Sequence, residues 1–412
     1  MSEPVFILGG YQTDFARNWS REGRDLSDGA REAVLGALDA CELDAREIKS
    51  IHVGNAMAEL QRGQAHLGAM PATVVPELIG VPAMRHEAAC ASASIAVLAA
   101  MSEIEAGRYD CVLVLGLEEQ RNLPGDAASR NMGCAGWVGH EELGGRYAWP
   151  WAFGQISAEY ERRFGLKREH LHRIAELNFA NARRNPRAHA RSWTFSEHSF
   201  SDDDALNPLV EPHTRRNECA QVSDGACALV LASARYAEEY STARGTPFDR
   251  LPCILGWGHA SADLAFAPKL ERAPPGGHLF PHVTRTVQDA LRRAGLGSVE
   301  QLAGMEMHDC FAITEYLLLE HAGLAAPGEA WRLVENGALE LGGRFPVNPS
   351  GGLIGGGHPI GATGARMLLD ACRQVTGTAG EYQVEGAKRF GTLNIGGAMG
   401  TVCSFVVGRC AA

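Results

Sequence analysis

The sequence predicts an α/β protein built from two similar halves. Strand-like apolar runs alternate with helical runs along most of the chain, which is typical of layered α/β folds. One run, Cys111–Gly116, is continuously apolar, as expected for a strand in a sheet covered on both faces. Each half also contains an apolar helix that opens at a reactive side chain, Cys90 in the first and His358 in the second. Such a duplication suits an arrangement in which the two helices face each other across a middle layer.

The first half alternates short apolar runs with helical ones from its first residues onward. The predicted elements are strand Val5–Leu8, helix Gly29–Leu38, strand Ile51–Gly54, a helix ending near Leu67, a helix from Cys90 through Met101, and strand Cys111–Gly116. The last of these is either a central strand or part of a sheet whose edge continues into a second copy of the chain.

The second half repeats the same scheme. The predicted elements are strand Pro252–Gly256, helix Thr284–Ala294, strand Gly304–Met307, helix Thr314–Ala322, helix Ala365–Val375, and strands Phe390–Asn394 and Val402–Val407.

Residues 121–216 differ in amino-acid composition from the rest of the chain and separate the two halves. They are rich in Arg, Asn, His and Trp, with Trp149–Gly154 near their centre. A segment this long is not a structureless loop within a compact protein. We therefore expect a first half at residues 1–120 that is completed by about 217–250, an inserted segment at 121–216, and a second half at 251–412.

Three segments carry residues suited to catalysis. In Gly355–Gly364, glycines surround His358 and allow the backbone to approach a substrate closely. Glu87–Ser94 contains Cys90 at the start of a helix, and Met307–Ala312 contains His308 and Cys310 between a strand and a helix.

Together these segments resemble the thiolase superfamily. Cys90-Ala91-Ser92, then His308-Asp309-Cys310-Phe311, then Gly357-His358-Pro359 are similar to its sterol-carrier-protein-type branch, and Ser223–Leu231 and Asn394–Gly400 extend the resemblance over nearly the whole chain. The resemblance implies a duplicated thiolase fold with five layers, αβαβα. It also implies that residues 121–216 form a loop domain that covers the active site and shapes the acyl pocket around Trp149–Phe153. The alternative is a surface insertion with local aromatic packing.

Cys90 is the candidate nucleophile. A helix N-terminus lowers the pKa of a thiol, and a thiolate can attack a thioester to form an acyl-enzyme. His358 would serve as its base and donate to the thioester oxygen. The alternatives are a buried structural cysteine and a histidine held by the backbone of a turn.

His308 and Cys310 stand where many thiolases carry the asparagine and alanine of Asn-Glu-Ala-Phe. The resemblance implies that His308 donates into an oxyanion hole beside His358, and that Cys310 moves the proton at the substrate α-carbon. Most thiolases place a second cysteine in a Cys-x-Gly turn, but here that turn is Asn394-Ile395-Gly396. The backbone N–H groups of Gly396 and Cys90 are expected to form the oxyanion hole for the acyl-enzyme.

The implied function is that of an acyl-CoA C-acyltransferase, which cleaves 3-oxoacyl-CoA or condenses two acyl-CoAs through acyl-Cys90. Coenzyme A would be substrate or product, with no resident cofactor or metal, and the chain would be a homodimer or a dimer of dimers. Two alternatives remain open. One is acyl transfer to another carbon acceptor in a multi-subunit complex, and the other is a non-condensing subunit that binds acyl-CoA or a small partner protein.

Composition excludes several other classes. The 412 residues are 45% hydrophobic and carry a net charge of −11, which argues against a nucleic-acid surface. No apolar run approaches the roughly 20 residues that span a bilayer. The eleven scattered cysteines fit reduced thiols, so we expect a cytoplasmic enzyme. Three arginine pairs either provide a positive field for a phosphorylated ligand or are solvated surface charge: Arg162/Arg163, Arg183/Arg184 and Arg215/Arg216.

Overall fold

The computed structural model describes residues 4–410. The strands are β1 Val5–Gln12, β2 Ser50–Gly54, β3 Ala83–His86, β4 Cys111–Glu118, β5 Leu209–Glu211, β6 Thr214–Arg215, β7 Gly225–Ala232, β8 Pro252–Ser261, β9 Met305–Met307, β10 Arg389–Gly396 and β11 Thr401–Arg409. The helices are α1 Leu26–Ala40, α2 Ala58–Gln61, α3 Met70–Val74, α4 Ser92–Glu105, α5 Gly125–Met132, α6 Ala148–Phe164, α7 Arg168–Ala182, α8 Ala234–Arg244, α9 Ala267–Glu271, α10 Pro281–Arg293, α11 Ala312–His321, α12 Trp331–Glu335 and α13 Thr363–Thr376.

The order of the strands confirms the duplication. Nine strands run in the order β3-β2-β4-β7-β1-β8-β11-β10-β9, and the two halves meet where β1 pairs with β8. Outward from this seam, the strands of the first half are β1, β7, β4 and β2, and those of the second half are β8, β11, β10 and β9. In both halves these are the first strand, the last strand, the strand that follows the central helix (α4 or α13) and the second strand. Beyond β9, a single parallel β-bridge between Met305 and Val347 takes the position in the second half that β3 takes beyond β2 in the first. The two halves therefore share one topology.

Five layers follow from the two faces of each sheet. On β4, Leu113 and Leu115 pack in the cluster formed with α1, whereas Val112 and Val114 pack in the cluster that contains α4 and α13. Side chains alternate between the two faces of a strand, so an entirely apolar strand must be covered on both. The central cluster also takes residues from β8, β10 and β11, and α10 lies on the outer face of β8 and β11. The order of layers is helix, sheet, paired helices, sheet, helix.

β4 lies inside the sheet, with β2 on one edge and β7 on the other. Its apolar sequence is therefore explained by its central position within this chain. The strand offers no edge to a partner, so it gives no support to a dimer.

The helix predicted to end near Leu67 is wrong. Residues between β2 and β3 form the short helices α2 and α3 and three-residue 3₁₀ turns. Gly63, which follows α2, has a φ of 73°, a left-handed conformation that interrupts the helix before Leu67. The other helices and strands predicted outside residues 121–216 are present, with boundaries shifted by a few residues.

Residues 119–224 connect β4 to β7 and carry α5, α6, α7, β5 and β6. They pack against the second half: Phe153 stacks on Phe311 at 4.6 Å between ring centroids, and Asn178 donates to Asp309 at 2.9 Å. In the second half, the corresponding connection between β10 and β11 is the short turn at residues 397–400.

Within residues 4–410, no helix combines the length and the apolar character needed to cross a membrane.

Gly116 on β4 allows the sheet to approach the turn that follows His358. A Cβ at this position would lie 2.7 Å from the carbonyl oxygen of Gly361 and 2.8 Å from the Cα of Ala362. We expect Gly116→Ala to lower the free energy of unfolding by about 1–3 kcal/mol, the usual effect of overpacking a core. Urea denaturation measures this loss. Gly342→Ala, where a Cβ meets nothing within 4 Å, is the control and should change stability by less than about 0.5 kcal/mol. Equal midpoints for both variants would contradict this account of Gly116.

Candidate active site

Cys90 lies in a 3₁₀ turn, Ala89–Ala91, immediately before α4. Ala89 has a φ of 49°, an uncommon conformation for a residue with a side chain, and this sharp turn precedes Cys90 directly. The Cys90 side chain is half-buried and lines a cavity.

His358 lies five residues before the first residue of α13, so it does not itself begin the helix as predicted. Its Nδ1 is 2.7 Å from the hydroxyl of Thr363, and that hydroxyl donates to the carbonyl of Pro359 at 3.0 Å. The hydroxyl has one hydrogen, so it must accept from Nδ1–H. His358 is therefore held with its proton on Nδ1. Its buried Nε2 has no hydrogen-bond partner within residues 4–410 and is free to act as a base.

His308 follows β9 directly, and its backbone N–H donates to Leu393 on β10 at 2.9 Å. The side chain is buried, and its Nδ1 lies 3.0 Å from the amide nitrogen of Asn394. Cys310 is also buried, with its sulfur 3.6 Å from the hydroxyl of Thr314.

The four predicted catalytic side chains converge on one place. The sulfur of Cys90 and one ring nitrogen each of His308 and His358 all lie within 4.8 Å of one another. The two rings are 5.2 Å apart and nearly perpendicular. Cys310 lines the same cavity as Cys90 and His358. Two thiols and two imidazoles therefore meet in a single site.

Gly396 and Gly397 form the turn beside Cys90. Gly396 is buried, and a Cβ there would lie 2.1 Å from the carbonyl of Ala88, so it permits close packing behind the nucleophile. Gly397 lines the cavity, and its backbone N–H hydrogen-bonds the Cys90 sulfur. The oxyanion role expected of Gly396 stays a prediction, and Gly397 is a further donor that the sequence reasoning did not select.

Burial sets the protonation of the site. It raises the pKa of the Cys90 thiol to about 12, although the N–H of Gly397 favours the thiolate. It also lowers the pKa of His358 to about 3 and that of His308 well below its usual value, and raises that of Cys310. A low-dielectric surrounding disfavours each charged form. The lowered Cys90 pKa expected from the helix N-terminus is therefore wrong, and the resting groups are neutral.

Asp309, between the two catalytic residues of its motif, ties this segment to the glycine turn. Its carboxylate accepts from the backbone N–H groups of Leu353 and Ile354, at 2.5 and 3.0 Å. The turn thus fixed leads to His358. Sequence reasoning gave Asp309 no role, because its partners lie more than forty residues away.

The cavity above Cys90 has a volume of about 230 Å³. Most of its lining is apolar and includes Met57, Met132, Trp149, Phe153, Phe311 and Ile360. Trp149 is held by a 2.9 Å hydrogen bond from its indole N–H to the carbonyl of Met132. The expectation that Trp149–Phe153 shape a pocket agrees with this arrangement.

Arginines of the three pairs are largely engaged elsewhere. Arg162 and Arg163 both contact Glu159, and Arg215 is buried against Asp202 and Asp204. Arg162 and Arg215 are absent from the cavity lining. The interpretation as structural or solvated charge is favoured for these pairs.

Comparisons with known proteins agree with this geometry. Residues 5–192 match the family described as "Thiolase, N-terminal domain", and residues 278–409 match "Thiolase C-terminal domain-like". An acetyl-CoA acetyltransferase of Methanothermobacter thermautotrophicus is 30% identical over 98% of this chain and 99% of its own length. Human sterol carrier protein 2 is 28% identical over 96% of this chain and 70% of its own length.

Among solved structures, the fold is similar to a chain of "Ltp2-ChsH2(DUF35) aldolase". The TM-score is 0.76 at 22% identity, with 99% of this chain and 98% of that chain covered. The family matches span both halves of the chain, and they coincide with the duplicated sheet and the site between its halves. The chain therefore belongs to the thiolase family.

Proposed function

We propose that this chain is an acyl-CoA C-acyltransferase that cleaves 3-oxoacyl-CoA, or condenses two acyl-CoAs in reverse, through an acyl group on Cys90. The observation that carries the proposal is the convergence of Cys90, His308 and His358 within 4.8 Å. The name of the archaeal relative, an acetyl-CoA acetyltransferase, supports the same class of acyl donor.

Acylation starts from a neutral pair. His358 Nε2 takes the proton of Cys90 as the sulfur attacks the carbonyl carbon, so charge separates only during the reaction. In cleavage, the carbonyl attacked is the 3-oxo group, and the bond between C2 and C3 breaks. The electron pair of that bond passes to C2 as an enolate, and the acyl group stays on Cys90.

Cys310 then supplies the proton that C2 requires. Its thiol is the resting form because burial raises its pKa, so it is already an acid in the cleavage direction. The thiol of coenzyme A finally attacks acyl-Cys90 and gives its proton to the Cys310 thiolate, while His358 returns the proton it already holds to the departing sulfur of Cys90. In condensation, Cys310 removes the α-proton instead.

The apolar cavity is the place we assign to the acyl chain. It is enclosed partly by Trp149 and Phe153 on α6, which supports a lid role for residues 121–216. All eleven cysteines are free thiols, which fits a reducing, cytoplasmic compartment.

A second candidate is acyl transfer to another carbon acceptor in a complex with a small partner protein. The solved structure of similar fold is named for two components and for aldolase activity. Trp137 and Val138 on the inserted segment are exposed, as residues of a partner surface would be. Formation of acetyl-CoA from acetoacetyl-CoA and free coenzyme A by the chain alone favours the first candidate, and activity only with an added partner favours the second.

We also propose a homodimer, with the edge strand β3 as its contact. β3 pairs with β2 on one side only among the described strands, and Met84 on it is 43% exposed. Unpaired strand edges readily extend a sheet into another chain.

The neutral resting pair makes alkylation of Cys90 depend on pH. Because the pKa of its thiol is raised to about 12, we expect the rate of alkylation by iodoacetamide to rise about tenfold per pH unit from pH 6 to 9. Peptide mass mapping would follow Cys90, with the exposed Cys134 reporting on the reagent in the same digest. Fast alkylation of Cys90 that is independent of pH would indicate a thiolate paired with an imidazolium, against the neutral pair.

Loss of each site cysteine should have a different effect. Cys90→Ala should abolish both acyl-enzyme formation and turnover. Cys310→Ala should still accept an acetyl group on Cys90 from acetyl-CoA but lose about 10²–10⁴-fold in carbon–carbon cleavage, the usual contribution of a positioned acid or base. Single-turnover acylation and steady-state thiolysis measure the two steps, and Cys41→Ala, a buried cysteine outside the cavity, is the control. Full thiolysis by Cys310→Ala would show that the acid lies elsewhere.

Sedimentation tests the dimer. We expect a species of twice the 44.1 kDa chain mass at micromolar concentration. Met84→Lys on the edge strand should shift the equilibrium toward monomer, because a charge on an edge strand opposes pairing. A wild-type chain that sediments as a stable monomer would contradict the proposal.

A further inference from the structure

Asn394 on β10 occupies a fully buried position between α4 and the catalytic site. Its amide nitrogen lies 3.0 Å from Nδ1 of His308, and its carbonyl oxygen lies 2.7 Å from the hydroxyl of Ser94. All three side chains are at most 1% exposed. The contacts form a chain of hydrogen bonds from the first turn of α4 to the imidazole of His308.

The direction of each bond follows from the chemistry of the groups. In the structure the amide oxygen faces Ser94 and the amide NH₂ faces His308, and because an amide oxygen only accepts, the hydroxyl of Ser94 donates to it. An amide NH₂ only donates, so Nδ1 of His308 must accept. The proton of the neutral imidazole is then on Nε2.

His358 has the opposite arrangement. Thr363 accepts from its Nδ1–H, which leaves Nε2 without a proton. Two neutral histidines with rings 5.2 Å apart are thus held as different tautomers, one as a base and the other as a donor.

We infer that Asn394 is a positioning residue that, together with Ser94, holds His308 as its Nε2–H tautomer, so that His308 donates to the substrate oxygen that becomes negative when the carbon–carbon bond is broken or formed. This inference rests on the proposed function. It gives Asn394 a role in the carbon–carbon step and none in the transfer of an acetyl group from the thioester of acetyl-CoA to Cys90.

Asn394→Asp tests the inference with almost no change in shape. At neutral or higher pH the new carboxylate accepts from Nδ1–H, which removes the proton from Nε2 and with it the donor. We expect carbon–carbon cleavage of acetoacetyl-CoA to fall about 10²–10³-fold at pH 8, the usual effect of losing one oxyanion donor. Acylation of Cys90 by acetyl-CoA, which breaks no carbon–carbon bond, should stay within about threefold of the wild-type rate in a single turnover.

A pH profile separates this role from a merely structural one. One added proton, shared between the new carboxylate and His308, restores Nε2–H, so the rate of the variant should recover as the pH falls from 8 to 6. The other titratable or charged groups around His308 are His358, Arg366, Cys90, Cys310 and Asp309. Of these, His358 and Arg366 oppose its protonation in the wild type. Wild type should show no such recovery.

Two further variants complete the design. Ser94→Ala removes the partner of the Asn394 amide oxygen, so the side-chain amide can rotate by a half-turn. This variant should slow the carbon–carbon step less than Asn394→Asp does, and its rate should not recover at low pH. Asn336→Asp makes the same chemical change at an exposed position and should match wild type. Asn394→Asp with wild-type cleavage at pH 8, or a loss without recovery at pH 6, would overturn the inference.

Nuclear magnetic resonance of the wild-type protein with ¹⁵N-labelled histidine tests the tautomer directly, even if a variant fails to fold. His308, assigned by comparison with His308→Gln, should carry its proton on Nε2, and a proton on Nδ1 would overturn the inference. If the wild-type protein shows no carbon–carbon cleavage in the same assays, the proposed function is overturned. That result is distinct from the outcomes that overturn the inference.

Discussion

The site depends on the close approach of α4 and α13 between the two sheets. A Cβ on Gly364 would lie 2.2 Å from the hydroxyl oxygen and 2.6 Å from the backbone nitrogen of Ser94, so the two helices touch at their first turns. Cys90 precedes one helix and His358 precedes the other, and each reaches the site only because these first turns meet. Duplication of the half-fold supplies this pairing, since each half contributes one equivalent helix to the middle layer.

Burial in that layer has an electrostatic consequence. A charged thiolate or imidazolium is disfavoured there, so the resting site consists of neutral thiols and neutral imidazoles. A neutral histidine can act as a base or as a hydrogen-bond donor, and the residue type alone does not determine which ring nitrogen carries the proton. In the inferred arrangement that choice is made at Nδ1, which donates to the Thr363 hydroxyl in His358 and accepts from the Asn394 amide in His308, as outer partners of functional histidines commonly do. The division of roles between His308 and His358 is thus set by residues that need not touch the substrate.

Sequence reasoning reached the fold and the converging residues because both leave local signals. The apolar run of β4 and the alternation of strands and helices are readable over short windows, and the motifs around Cys90, Cys310 and His358 are contiguous. It failed where a property depends on distant contacts. The pKa of Cys90 depends on burial by the whole middle layer, and the contact between Ser94 and Asn394 joins residues 300 positions apart. The helix predicted to end near Leu67 is interrupted at Gly63, a residue type of low helix propensity.

Position 394 carries asparagine instead of cysteine, and position 310 carries a cysteine. The hydrogen bond between Asn394 and His308 connects these two features. Where the motif carries asparagine, the corresponding donor is an amide with no tautomer to choose. A histidine at that position needs a neighbour that donates firmly to Nδ1, and a thiol is a weak donor whereas an amide NH₂ is a good one. An amide at Asn394 therefore suits His308, but it cannot move protons as a cysteine does. In the proposed reaction the thiol that moves the proton comes instead from Cys310, two residues after His308, which lines the cavity.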